Sequence, residues 1–184
     1  MIYFLRHQKT ENNHFGYISG QSDSAILKES INADICVIPK SIDMIYSSPS
    51  QRCIDTLLLF HELPMTPIID DRLHERNMGD FENCSRRELY EQYPDLFWNE
   101  DGKIQFCFEC TPPNGESLSE FSKRIASFCN EVLIPRKEQN ILICSHNQAM
   151  KMMYFILNGI YPSKTDWKNL TFPTGKCVAF HAEL

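Results

Sequence analysis

The apolar run Ile2-Tyr3-Phe4-Leu5 ends abruptly at Arg6-His7, and the run Ile141-Leu142-Ile143-Cys144 ends in the same way at Ser145-His146. Short apolar runs with polar boundaries are typical of buried strands. Each run leaves a histidine where the chain departs from the sheet, and open α/β sheets bind ligands at the carboxyl ends of their parallel strands. Two histidines and an arginine at one edge would form a cationic pocket, for which phosphate is the obvious ligand.

Strands and helices alternate along the rest of the chain. The patterns predict strands over 1–5, 44–46, 66–69, 140–144 and 176–181, and helices over about 23–35, from Ser48, from Ser117 to Pro135, and from about Gln148 to Gly159. Ser48 is expected to cap its helix, with Pro49 at the first position and Gln51 completing a capping box, and Ser117 and Glu120 form a second box. This alternation predicts a three-layer α/β/α sandwich with a mostly parallel central sheet, in a single domain over 1–184.

Composition narrows the function further. The chain has 184 residues and a net charge of −6, which argues against a nucleic-acid partner. No apolar run is long enough for a signal peptide or a membrane span, so we expect a cytoplasmic protein. Half of the cysteines lie in apolar segments, where thiols act as small hydrophobes, and the pair Cys107 and Cys110 lacks the partners of a zinc site. The cysteines in those apolar segments are Cys36, Cys129, Cys144 and Cys177.

The residues around His7 suit phosphoryl chemistry. A neutral imidazole is a competent nucleophile toward phosphorus, and the planar guanidinium of Arg6 matches two phosphate oxygens. The polar loop that follows supplies further donors, among them Asn13, Ser19 and Gly20. An isolated Arg-His pair is also common on protein surfaces, so this segment alone does not decide the function.

Two later segments add candidates at the same edge. Arg52 lies in the first turn of the helix after Ser48, whose free N–H groups point toward the sheet edge. His146 lies between a strand and a helix N-terminus, where it could stabilise charge on a phosphoryl oxygen with help from the Asn147 backbone. Without a ligand, a solvated arginine and a capping histidine would explain these positions equally well.

The segment from Arg72 to Glu82 offers an acid. Phosphoryl transfer expels an alkoxide that needs a proton, and the same group should later take a proton from water. A carboxyl group that is shielded from water can act first as the acid and then as the base. Glu75 is the first choice for this role, and Glu82 is the alternative. A metal cluster of Asp70, Asp71 and His74 is a further possibility, although a solvated loop accounts for these residues more simply.

Taken together, these motifs resemble the histidine phosphatase superfamily, also called phosphoglycerate mutase-like. The resemblance covers nearly the whole chain in the family's order. The matching segments are Leu5-Arg6-His7 with Thr10 and Asn13, Gly20-Gln21-Ser22-Asp23, Ser47-Ser48-Pro49 with Arg52 and Thr56, Arg72 and Glu75 with Gly79 and Glu82, and Gly115-Glu116-Ser117 with Arg124, leading to Ser145-His146.

The resemblance implies a role for each of these residues. His7 would become phosphohistidine, while Arg6, Arg52 and His146 would hold the phosphoryl group and Glu75 would be the acid and base. Asn13 and Ser19 would line the rim, and no metal or organic cofactor is implied. Two departures stand near the pocket, since Gln8 and Asn147 occupy positions where the family usually has glycine. These side chains are expected to narrow or reshape the pocket.

The expected activity is hydrolysis of a small phosphorylated metabolite through phosphohistidine. The mutases of this family are longer, and here only 86–114 is available as a lid. A phosphomutase, a phosphohistidine-protein phosphatase and an inactive phosphate-binding module remain alternatives. The aromatic side chains around the lid could stack on a substrate or simply form core, and the oligomeric state is open.

Overall fold

The fold is taken from a computed structural model, which describes residues 1–31, 38–60 and 63–180. The strands of its main sheet are β1 (Ile2–Arg6), β2 (Met44–Ser47), β3 (Ile68–Ile69), β6 (Ile141–Ser145) and β7 (Cys177–Phe180), while β4 (Phe97–Glu100) and β5 (Lys103–Phe106) form a separate antiparallel hairpin. The order in the main sheet is β3-β2-β6-β1-β7, and all pairs are parallel except β1 with β7. The predicted mostly parallel sheet is confirmed.

The described residues form six α-helices, and some of them pack on each face of the main sheet. They are α1 (Glu11–Phe15), α2 (Gln51–Leu58), α3 (Arg86–Gln92), α4 (Leu118–Phe128), α5 (Asn147–Leu157) and α6 (Lys164–Asn169). Because side chains alternate along a strand, Phe4 and Ile143 join the core with α4 and α5. Leu5 and Leu142 join a second core with α2 on the opposite face. The structure therefore confirms the predicted three-layer sandwich.

The helix signals were read correctly at α4 and α5. Ser117 Oγ accepts from the Glu120 backbone at 3.2 Å, and Glu120 Oε2 accepts from the Ser117 backbone at 2.9 Å, which completes the predicted box. The helix continues as a π-turn through Leu133, next to Pro135. Helix α5 ends before Gly159, whose φ of +64° suits a glycine after a helix.

Several predicted boundaries were wrong. In the described part of 23–35 a 3-10 turn at Lys28–Ser30 replaces the helix, and residues 32–35 lie outside the described residues, as do Cys36 and His181. Ser48 does not cap α2, because its hydroxyl bonds His146 and the helix begins two residues after Pro49. The strand predicted over 66–69 contains only Ile68 and Ile69.

Residues 86–114 form a small lobe at the carboxyl end of the main sheet. It contains α3 and the β4–β5 hairpin, whose Asp101-Gly102 turn has positive φ at both residues. Leu89 and Phe97 of this lobe form a core with Ile18, Met78 and Phe81, which precede the lobe in the sequence. Most of the aromatic side chains of this segment are therefore packing residues.

Within the described ranges, no helix is long and apolar enough to cross a bilayer.

The segment that contains Cys107 and Cys110 is bound by Arg76. The backbone carbonyl of Cys110 accepts from Arg76 Nη2 at 2.6 Å, and the same guanidinium bonds the carbonyl of Phe108. The Cys107–Cys110 segment is thus anchored by an arginine.

Candidate active site

The strand ends meet as the sequence predicts. Strands β1 and β6 pair with Arg6 opposite Ser145, and the His7 backbone donates to the Ser145 carbonyl at 3.1 Å. The rings of His7 and His146 then lie 5.2 Å apart between centroids. The parallel register of the two strands therefore brings residues separated by most of the chain to one edge.

His7 is held in one tautomer. Its Nδ1 lies 2.7 Å from the Gln8 carbonyl, which accepts and so keeps the proton on Nδ1. Burial, followed by the charges of Arg52 and Arg6, holds the pKa of His7 well below its usual value. The imidazole is therefore neutral at neutral pH, with a lone pair on Nε2.

A cavity of about 100 Å³ lies at His7. Its lining residues are Arg6, His7, Asn13, Ile18, Ser19, Gly20, Arg52, Glu75, Met78, Arg86, Asn147 and Gln148. Among the described residues, Arg6 Nε and Ser19 Oγ are buried polar atoms that have no hydrogen-bond partner. Buried donors are nearly always satisfied, so these two atoms at the cavity indicate a polar ligand.

Arg6 and Arg52, the two arginines predicted to hold the phosphoryl group, both line the cavity at His7. Arg6 donates from Nη1 to the Phe172 carbonyl at 2.9 Å, and burial lowers its pKa to about 10, so it stays charged at neutral pH. The buried Arg52 donates from Nη1 to the Ser22 carbonyl at 2.6 Å and from Nη2 to the Gly20 carbonyl at 2.7 Å. Arg52 thus fixes the loop beside the cavity.

His146 is completely buried and does not line either cavity. Its Nδ1 accepts from Arg52 Nε at 3.2 Å, and its Nε2 lies 2.9 Å from Ser48 Oγ. Since Nδ1 accepts, Nε2 carries the proton and donates to the serine. Burial and the Arg52 charge lower the pKa of His146, which keeps the ring neutral. His146 therefore contacts Arg52 and not the cavity, which differs from the predicted direct contact with the phosphoryl group.

Glu75 lies at the N-terminus of α5. Its Oε1 accepts from the backbones of Arg76 at 3.0 Å and Ala149 at 3.1 Å, while Oε2 accepts from the Gln148 backbone at 3.1 Å. These donors, including two from a helix N-terminus, fix the carboxyl group on the wall of the His7 cavity. Oε2 has one such donor and Oε1 has two, so Oε2 keeps more free capacity to form a hydrogen bond.

The reserve acid, Glu82, is placed differently. Its carboxylate accepts from the backbones of Gln21 at 2.8 Å, Ser22 at 2.7 Å and Met78 at 2.9 Å, and it does not line the cavity. Gly20 packs against it with a φ of +52°, and a Cβ there would lie 2.1 Å from Glu82 Oε1. Glu82 therefore shapes the loop that contains Ser19 and Gly20.

The two departures from the family pattern have different positions. Asn147 lines the cavity, but its Oδ1 accepts from the Phe172 backbone at 3.0 Å and so ties down the segment that Arg6 also bonds. The side chain of Gln8 packs against Gly175 and does not line the described cavities. The expectation that Gln8 narrows the pocket was therefore wrong, because its side chain is directed toward Gly175.

A second, larger cavity of about 350 Å³ adjoins the first, and six residues line both. The residues of this wall that the sequence analysis missed include Arg86, Gln148 and Lys151. Arg86 begins α3 after the N-cap Ser85, and Lys151 is the only charged residue of α5. A charge inside an apolar helix was the signal that could have identified Lys151.

Two of the three residues considered for a metal, Asp70 and His74, have other side-chain partners. Asp70 forms a salt bridge with Arg72 at 2.7 Å, and His74 Nδ1 lies 3.2 Å from Ser50 Oγ. Across 1–31, 38–60 and 63–180, no three His, Cys, Asp or Glu side chains cluster closely enough to hold a metal ion.

Comparison with known families assigns the class of protein. The model of the histidine phosphatase superfamily (branch 1) matches residues 2–180. The chain belongs to this superfamily, and the predicted enzyme class, a phosphatase of the histidine phosphatase type, is confirmed.

Individual relatives agree with this assignment. Phosphoserine phosphatase 1 of Hydrogenobacter thermophilus is 28% identical over 177 residues, covering 89% of this chain and 78% of the relative. The 2,3-bisphosphoglycerate-dependent phosphoglycerate mutase of Cytophaga hutchinsonii is 26% identical over 196 residues, covering 100% of this chain and 89% of the relative. The crystal structure of the alpha-ribazole phosphatase from Shigella flexneri shares the fold with a TM-score of 0.75 at 23% identity, covering 96% of this chain and 87% of that one.

Proposed function

We propose that this protein hydrolyses phosphomonoesters of small metabolites through a phosphohistidine formed at His7, with Glu75 as acid and base. The observation that carries the proposal is a neutral His7 imidazole in a cavity where Arg6 Nε and Ser19 Oγ are buried without protein partners. A phosphoryl group has the charge and the acceptor oxygens to satisfy those two donors.

In the first step, Nε2 of His7 attacks phosphorus. An N–P bond forms, the P–O bond to the alcohol breaks, and Glu75 Oε2 delivers a proton to the departing oxygen. The Gln8 carbonyl that holds Nδ1–H stabilises the positive charge that develops on the imidazole. Without this proton an alkoxide would leave, which is the costliest part of the reaction for a sugar or hydroxy-acid ester.

In the second step, water attacks the phosphohistidine. Glu75, now ionised, takes a proton from the water, the N–P bond breaks, and inorganic phosphate and neutral His7 are released. The two steps together return every group to its starting state. Two carboxylate oxygens on one rigid backbone anchor suit a group that must serve as acid and then as base.

The remaining residues bind and orient the phosphoryl group. Arg6 supplies a charged fork, and Asn13, Ser19, Gly20 and Asn147 line the same cavity. Arg52 also lines it, while His146 acts through Arg52 by holding its guanidinium. Preorganised donors of this kind stabilise the charge of the transition state without reorganisation.

The segment 86–114 is proposed as a partial lid over a single domain that extends from residue 1 to residue 184. Its Arg86, Gln105 and Phe106 line the larger cavity, which supports a role in covering substrate. The net charge of −6 supports a small substrate over nucleic acid, and phosphorylated metabolites are made and used inside cells, which supports a cytoplasmic location.

The test is phosphate release from p-nitrophenyl phosphate and a metabolite panel, in the presence of a chelator. His7→Ala should lose on the order of 10³-fold or more in kcat, because the nucleophile is gone. The matched control is His14→Ala, which removes an exposed histidine outside both cavities and should leave kcat unchanged. Equal activity in the two variants would contradict the proposal, and phosphate binding without turnover in the parent protein would favour an inactive binding module.

A further inference from the structure

The larger cavity is placed to receive the alcohol part of a substrate. It has a volume of about 350 Å³ and shares Arg6, Ile18, Met78, Arg86, Asn147 and Gln148 with the cavity at His7. A phosphoryl group held at His7 would therefore leave the rest of the molecule in this adjoining space. This volume is typical of a small-ligand site.

The charge of this cavity is one-sided. Its charged lining residues are Arg6, Arg86, Lys151 and Lys168, and none of the described residues that line it is acidic. Lys168 forms a salt bridge with Glu100. Within the part of the chain that the structure describes, Arg6, Arg86 and Lys151 form no salt bridge. In a chain of net charge −6, this is a local positive site.

Lys151 is the least expected of these cations. Its side chain is only 5% exposed, and its Nζ donates to the Trp167 carbonyl at 2.6 Å while lying 5.3 Å from the centre of the Trp167 ring. Burial lowers its pKa to about 8. The charge of Glu75 opposes this shift, but no described carboxylate forms a salt bridge with Nζ. A buried ammonium without a salt bridge is costly, so an anion bound in this cavity would stabilise it.

The phosphoryl group does not account for all of this charge. Arg6 and Arg52 line the cavity at His7 and can neutralise a phosphate dianion. Lys151 and Arg86 are then in excess on the leaving-group side, although Arg86 reaches both cavities. A second anion is the partner that these two cations lack.

On the basis of the proposed function, we infer that the alcohol part of the substrate carries a second anionic group, which Lys151 and Arg86 bind in the larger cavity. A carboxylate and a second phosphate share this chemistry. The neighbouring Gln105 and Gln148 side chains offer amide donors to either anion. The substrate class is thus an acidic phosphomonoester, such as a phosphorylated hydroxy acid, amino acid or bisphosphate.

The experiment compares substrates that differ only in the second anion. O-phosphoserine is paired with O-phosphoethanolamine, and fructose 1,6-bisphosphate with fructose 6-phosphate, so that the first pair reports on a carboxylate and the second on a phosphate. For the parent protein, kcat/KM should be on the order of 10- to 100-fold higher for the acidic member of at least one pair, as expected for a charged hydrogen bond. Which pair discriminates identifies the anion.

Variants then assign the discrimination to residues. In each pair, the ratio compares kcat/KM for the substrate with the second anion to kcat/KM for the substrate without it. Lys151→Met and Arg86→Gln should each reduce this ratio by about tenfold or more. Lys123→Met removes an exposed lysine of α4 that lies outside both cavities, and it should keep the parent ratio.

The outcomes separate this inference from the proposed function. Turnover that requires His7 but shows equal kcat/KM within both pairs would overturn the inference and leave the proposed function intact. An acidic preference that survives in both Lys151→Met and Arg86→Gln would also overturn it. If the parent protein does not hydrolyse p-nitrophenyl phosphate, the proposed function is refuted instead.

Discussion

Replacing the buried Lys151 by Met should make the protein more stable. The pKa of Lys151 falls from 10.5 to about 8 on folding, mainly because of burial, with Arg6 also lowering it and Glu75 opposing the change. A lowered pKa on a base means that the charged form is disfavoured in the fold. The difference of 10.5 − 8, about 2.5 pKa units, corresponds to about 3 kcal/mol of destabilisation at pH 7.

Methionine has a similar length and no charge, so the variant should recover this free energy of unfolding. It also loses the hydrogen bond from Nζ to the Trp167 carbonyl, which costs about 1 kcal/mol. The net gain should be about 2 kcal/mol at pH 7. Because the native lysine deprotonates above pH 8 while the unfolded one keeps its proton to about 10.5, parent stability rises with pH in this window relative to the variant. The gain should therefore shrink to about 0.5 kcal/mol at pH 9.5.

Urea unfolding at pH 7.0 and 9.5 measures both values, with Lys123→Met as the control for removing an exposed lysine. The control should differ from the parent by less than about 0.5 kcal/mol. A Lys151→Met protein that is less stable than the parent at pH 7 would refute the reasoning. So would a gain that does not change between the two pH values, because the gain would then come from packing and not from charge.

Three other changes test separate parts of the site. Glu75→Gln should lower kcat for alkyl phosphates on the order of 10²- to 10⁴-fold and much less for p-nitrophenyl phosphate, whose leaving group needs no proton; equal losses would show that Glu75 is not the acid. Gly20→Ala should lower the Tm and kcat together, since φ is +52° and the new Cβ would collide with Glu82 Oε1, and an unchanged Tm would mean that the loop relaxes freely. Burial, followed by the charge of Arg52, lowers the pKa of His7, so the nucleophile should stay neutral as the pH falls below 6.5. Any loss of kcat/KM at low pH that is caused by protonation of His7 should therefore occur below pH 6.5. In Arg52→Gln this loss should occur at a higher pH than in the parent protein. A loss caused by protonation of His7 at or above pH 6.5 in the parent protein would contradict this.

Much of the fold could be read from local signals that tertiary structure left intact. The apolar runs before Arg6 and Ser145 are strands because they are buried on both faces, and the Ser117–Glu120 box starts α4 where it was expected. The β4–β5 hairpin was missed although its Asp101-Gly102 turn is a strong hairpin signal. The aromatic residues around that turn are compatible with strands and with other core segments, so the periodicity of the sequence alone did not predict the two strands.

The site was harder to read where partners are distant in sequence. Ser48 looked like a helix cap because the capping pattern is local, but it bonds His146, which is 98 residues away. Glu82 looked like an acid beside Glu75, and only the fold shows that its oxygens are used by backbone donors of the loop after Gly20. The burial of Lys151 likewise depends on α6, which supplies the carbonyl of Trp167.

The proposed mechanism requires that His7 carry the phosphoryl group during turnover. The most direct measurement is rapid quenching of the protein in alkali during turnover of O-phosphoserine or another good substrate, followed by mass spectrometry of the peptide containing residue 7. We expect an acid-labile, alkali-stable phosphoryl group on His7, present in the parent protein and in Glu75→Gln and absent in His7→Ala. Sustained turnover with no phosphorylated His7 in either protein, or with the group on another residue, would contradict it.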